Sequence, residues 1–133
     1  MKVKKSMIAG ALAVAAFAAT LVVGFAPAAS ACATAHIRTG LGGPGQTVAS
    51  TCGDLSLIGA DDTSGANFDG YAGFLYNSST GGWQICSSGY YLTADFTASS
   101  SSQWVILCTG VLHGTKEGVG SLFDAPDWVW IAY

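Results

Sequence analysis

Few residues in this chain are able to do chemistry, and their spacing limits what that chemistry is. His36 and His113 are the only histidines. Either would need a thiol or an activated hydroxyl beside it to serve as the base of a nucleophilic pair. No Gly-x-Ser-x-Gly elbow occurs, and the cysteines are better used in disulfides, so both histidines are read as surface residues. Asp61, Asp62, Asn67 and Asp69 share one polar stretch, where several oxygen ligands could gather round a calcium ion. Their spacing departs from the EF-hand loop and no glutamate closes it, which favours a solvated acidic loop and no bound metal. Asp95 and Asp124 offer a carboxylate pair for glycoside cleavage, but eight scattered acids make an accidental pair the simpler account. No catalytic residue and no cofactor are expected. Lys116-Glu117, flanked by Gly114 and Gly118, reads either as the reactive tip of an inhibitor loop or as an ordinary solvated turn.

The aromatic residues carry more information. Trp83, Tyr90, Tyr91, Trp104, Trp128, Trp130 and Tyr133 all fall in β-prone runs. A small core does not take every large ring, and rings left on a sheet face can stack on sugars or clasp a peptide. Tyr90, Trp128, Trp130 and Tyr133 are the candidate binding residues. Trp130 and Tyr90 are expected to be exposed, because they alternate with a more aliphatic face.

Strands must position these residues. After residue 31 no apolar series recurs at helical spacing, and Gly and Ser interrupt nearly every window of ten. Short β-prone runs recur instead: 34–38, 55–58, 71–76, 83–86, 90–96, 104–108, 119–123 and 128–133. The expected fold is all-β, a small disulfide-braced barrel or sandwich of short antiparallel strands after an N-terminal signal helix. Residues 104–108 are apolar on both faces and read as the central strand. In 128–133 the two tryptophans share one face with Ala132, while Val129, Ile131 and Tyr133 share the other. The Gly-rich segment 40–45 reads as a mobile loop, and 77–82 and 113–118 as hairpin loops. The connector 99–102 divides the chain into one unit or two lobes, about 32–93 and 94–133.

The N-terminus has the three-part layout of a secretory signal peptide over residues 1–31. Lys2, Lys4 and Lys5 precede an apolar run from Met7 to Phe25, and Ala29-Ser30-Ala31 supplies a small-residue cleavage site. Cleavage after Ala28 is the alternative. The apolar run is close to the roughly 20 residues that span a bilayer, but the cleavage site favours removal over a retained anchor. All four cysteines, Cys32, Cys52, Cys86 and Cys108, lie beyond the leader. An even count in an exported chain of this length implies two disulfides, with three pairings open. Residues 32–133 carry two cations, Arg38 and Lys116, against eight carboxylates, a formal charge of −6. Two cations do not build a nucleic-acid groove or a polybasic membrane patch.

Trp104–Tyr133 resembles the C-terminal half of bacterial SH3-like domains of exported actinobacterial proteins. The matching residues are Val105-Ile106-Leu107-Cys108, Gly110, Gly114-Thr115, Phe123-Asp124, Trp128-Val129 and Ala132-Tyr133. His36-Ile37-Arg38-Thr39-Gly40 through Thr47-Val48 resembles the opening of the same family, and Gly89-Tyr90-Tyr91-Leu92 its closing strand. Pro44 lies four residues past Gly40, where the family places it adjacent. The resemblance implies a non-enzymatic module that binds peptidoglycan or another wall component. The expected protein is thus a secreted, monomeric binding domain whose partner is a cell-wall polymer or an extracellular protein. A secreted protease or hydrolase inhibitor, and an exported antimicrobial or developmental protein, are the alternatives.

Overall fold

A computed structural model describes residues 32–65 and 67–133. The leader and its signal helix lie outside these residues. The described chain is all-β. Its strands are β1 (Thr34–Leu41), β2 (Gly43–Pro44), β3 (Thr47–Ala49), β4 (Leu55–Asp61), β5 (Phe68–Asn77), β6 (Gly82–Ile85), β7 (Tyr91–Ala94), β8 (Phe96–Thr97), β9 (Val105–Cys108), β10 (Lys116–Ser121) and β11 (Trp128–Ala132). One 3-10 turn, Ser101–Gln103, precedes β9.

The strands form one curled half-barrel sheet in the order β6-β5-β10-β1-β11-β4-β8. β7 pairs with β5 beside β6, and β9 pairs with β4 beside β8. The pairs are antiparallel except for the short contact of β1 with β10. Strands from the two halves of the chain alternate: β10 lies between β5 and β1, and β11 between β1 and β4. Residues 32–93 and 94–133 are therefore not separate lobes.

Alternation decides which side chains enter the curl. In β11, Val129 and Ile131 are sealed inside, against Ile37 of β1, Leu55 and Leu57 of β4, Tyr71 of β5, Leu107 of β9 and Val119 of β10. Burying each such aliphatic side chain is worth roughly 1.5–3 kcal/mol. β9 is not the central strand: it pairs only with β4, and Ile106 points into solvent. An apolar run with no polar face does not distinguish an interior strand from an edge strand whose outer face is simply left exposed. The Gly-rich segment is not a loose loop either. It folds as the tight β1–β2 hairpin, turning at Gly42, and lies against β10.

The disulfides pair Cys32 with Cys52 and Cys86 with Cys108. The first ties the start of β1 to the segment before β4. The second ties the end of β6, on one edge of the sheet, to β9 on the other. Ser88 adds a hydrogen bond across the same seam, donating to the Leu107 carbonyl at 2.6 Å. Gly73 on β5 leaves room for this bridge, since a side chain there would collide with Cys108 Sγ.

Candidate binding surface

Two neighbouring strands place the most distinctive side chains. In β1, Ile37 and Thr39 face inward, so His36 and Arg38 face out. In β11, Val129 and Ile131 face inward, so Trp128 and Trp130 face out. The register sets His36 opposite Trp130 and Arg38 opposite Trp128. Their side chains interleave as a ladder. The His36 ring stacks on Trp130 with centroids 3.9 Å apart and planes 11° apart. It also lies 4.6 Å from the Trp128 ring, and the Arg38 guanidinium sits 5.2 Å from the Trp128 centroid. Such ring–ring and cation–ring contacts hold indoles in fixed orientations while leaving part of each exposed. Trp130 remains 36% accessible.

On the other side of β11, β4 sets Gly59 opposite Trp130 and Asp61 opposite Trp128. A methyl group at Gly59 would stand 3.4 Å from Trp130 Cε3 and 2.9 Å from the Phe96 carbonyl oxygen. The bare backbone there is what lets the indole lie over β4. Beside it opens a pocket of about 320 Å³ lined by Ala60, Asp61, Asp95, Phe96, Thr97 and Trp130.

Beneath the ladder a network of buried carboxylates fixes the backbone. Asp127, fully buried, precedes Trp128. Its carboxylate accepts hydrogen bonds from the Tyr71 hydroxyl at 3.0 Å, the Ser64 hydroxyl at 2.8 Å and the Thr63 N–H at 3.1 Å. Its own N–H donates to Thr39 Oγ1 at 2.9 Å, and Thr39 N–H donates to its carbonyl at 2.9 Å. Burial pushes the Asp127 carboxyl above the usual carboxylate range, while the Ser64 and Tyr71 hydrogen bonds pull the other way. Burial and the neighbouring Asp127 push the Tyr71 phenol upward as well.

Two of the acids in the stretch expected to be a solvated loop, Asp62 and Asp69, are withdrawn from solvent, while Asp61 stays exposed. Asp62 is buried and accepts from the N–H groups of Ser64, Gly65 and Phe68. Asp69 is buried and accepts from those of Leu122, Phe123 and Asp124. Asp62, Asp124 and Asp127 bring one oxygen each within 4.8 Å of one another. Of the residues considered as calcium ligands from sequence, only Asp62 belongs to that cluster. Hydrogen bonds from loop backbone and from Ser64 already occupy it.

The four sequence-derived binding residues do not meet. Trp128 and Trp130 share the ladder. Tyr90 is half-buried on the β5 side of the sheet, edge-on to Phe74 at 6.4 Å. Tyr133 packs against the core and its carbonyl accepts a hydrogen bond from Thr51. The structure adds His36, Arg38, Asp61 and Asp95 as neighbours of the tryptophans, which no local pattern in the sequence marks as such. The alternation of His36 and Arg38 with Ile37 was available in the sequence, but the pairing of β1 with β11 was not. Lys116 and Glu117 do not form a tip. His113-Gly114 make the turn, Lys116 opens β10 with its ammonium 5.9 Å from the Tyr76 centroid, and Glu117 is fully buried.

Comparison with protein-family models, with curated proteins and with solved structures finds no match.

Proposed function

We propose that this protein is an exported, monomeric, non-catalytic module that binds cell-wall material on the Trp128–Trp130 strip. The observation that carries this reading is the outward-facing ladder of exposed Trp130, His36 and Arg38 with half-buried Trp128, raised on strands whose opposite face is sealed in the core. Indoles held in fixed orientation offer a flat apolar face to the C–H face of a pyranose ring, at little entropic cost on binding. Export is supported by the leader layout and by the two disulfides. The resemblance to wall-associated SH3-like domains points to the same class of ligand.

The test is co-sedimentation of the oxidised protein with purified wall sacculi. Wild type is expected in the pellet. Trp130→Ala and Trp128→Ala are each expected to weaken binding by about tenfold or more, the loss of one stacked ring, with the far-ultraviolet spectrum unchanged. Wild type remaining wholly in the supernatant, or both variants pelleting as wild type does, would falsify the reading.

A further inference from the structure

We infer that the ligand held on this strip carries a primary ammonium group, received by the pocket between Trp130 and the two carboxylates Asp61 and Asp95. The inference rests on the proposed role of the strip as the binding surface.

Three observations converge on this pocket. First, its walls are chemically mixed in the way a cation requires. Trp130 and Phe96 supply aromatic surface, Asp61 and Asp95 supply negative charge, and Thr97 supplies a hydroxyl. An ammonium set against an indole is attracted by the ring's quadrupole, and neighbouring carboxylates add charge-assisted hydrogen bonds. Second, among the described residues no cation lines it. Beyond residue 31 the only Lys and Arg are Arg38 and Lys116, and each already faces a ring, Trp128 and Tyr76 respectively. The Trp128 half of the strip is thus satisfied internally by Arg38, whereas the Trp130 half opens on an acidic pocket. Third, one side of Trp130 is closed by the stacked His36 on β1, which leaves the pocket side, over β4 and β8, as the approach to the ring. Asp95 is held in place while still lining the pocket: its Oδ1 accepts the Asp62 N–H at 2.9 Å. The formal charge of −6 on residues 32–133 draws cations from a distance and repels anionic polymers.

Two chemical sources of a primary amine are separated by the test: the side-chain amine of a diamino acid in a peptide, and the amine of a de-N-acetylated amino sugar. Both present the same –NH₃⁺ group. Acetylation turns either into a neutral amide that offers neither charge nor the strong N–H donors.

The experiment uses the full chain, expressed with its own leader and purified in the oxidised form. Sacculi are divided, and one half is treated with acetic anhydride to block amines. Binding to native sacculi is expected to exceed binding to acetylated sacculi by about tenfold or more. Asp61→Asn and Asp95→Asn are expected to lower binding on native sacculi toward the acetylated level and to leave binding to acetylated sacculi unchanged. Asparagine at 95 keeps an acceptor for the Asp62 N–H, so the loop stays in place. Competition with a glucosamine tetramer, its fully N-acetylated form, and a lysine-containing stem tripeptide identifies the source of the amine. Equal binding to native and acetylated sacculi, or competition by neither free-amine probe, overturns the ammonium inference while the strip reading stands. Failure to bind either preparation removes both.

Discussion

Glu117 is the side chain whose surroundings conflict most with its chemistry. It is fully buried in β10, and neither carboxyl oxygen has a hydrogen-bond partner. Desolvation pushes its pKa from an ordinary 4.5 up to about 7. The folded state therefore binds the proton more tightly than the unfolded chain. The associated stability is complete below about pH 4.5 and is lost as pH rises through about 7. The whole effect is about 3 kcal/mol. Thermal melts at pH 5 and pH 8 should show the lower-pH sample melting higher, and Glu117→Gln should remove most of that difference. A Glu117→Gln protein with the wild-type pH dependence would assign the effect to another group. This buried acid was not legible in the sequence. Gly114, Lys116, Glu117 and Gly118 together have the composition of a hairpin tip, and only the registers with Leu75 and Val48 show that Glu117 lies inside a strand.

At the scale of the elements, β11 and β4 govern the strip. The faces of β11 were legible because alternation is a local property: Val129 and Ile131 are sealed, and Trp128 and Trp130 point the other way. What β11 pairs with was not legible, because strand partners are chosen by the whole chain. The ladder with His36 and Arg38, and the pocket beside Asp61, therefore appeared only with the register. The place of β9 is not legible for the same reason, since apolar content reports burial poorly when an edge strand leaves Ile106 in solvent. Gly59 is the element-level control on the strip. Gly59→Ala puts a methyl group against Trp130 and, more tightly, against the Phe96 carbonyl. Either β8 shifts or the indole tilts. The expected result is a changed tryptophan emission spectrum and weakened binding to sacculi, with a stability loss of roughly 1–3 kcal/mol, the cost of overpacking. An unchanged spectrum together with unchanged binding would show that the strip tolerates the crowding.

For the whole molecule, the disulfides close what hydrogen bonds leave open. The even cysteine count predicted two bridges, but their pairing depended on which edges the curl brings together. The sequence separations within the two bridges, 20 and 22 residues, are nearly equal, so chain entropy alone assigns each a similar contribution, roughly 3 kcal/mol. Their surroundings differ. Cys108 is sealed beneath β5, whereas Cys32 and Cys52 are both only half-buried. A mild thiol should open Cys32–Cys52 first, followed by timed alkylation and mass spectrometry; release of Cys86–Cys108 first would contradict the idea that access decides the order.

The strand order carries a consequence for how the molecule comes into being. β10 joins the β5 side of the sheet to β1, and β11 joins β1 to β4. Both belong to residues 116–133. Without those residues the described strands share ladder hydrogen bonds only within three groups: β5 with β6 and β7, β1 with β2, and β4 with β8 and β9. β3 then has no partner strand, and the two disulfides and the Ser88–Leu107 hydrogen bond link the groups. β1, the earliest strand along the described chain, completes its pairing only with β10 and β11, so the continuous sheet closes once residues 116–133 are in place.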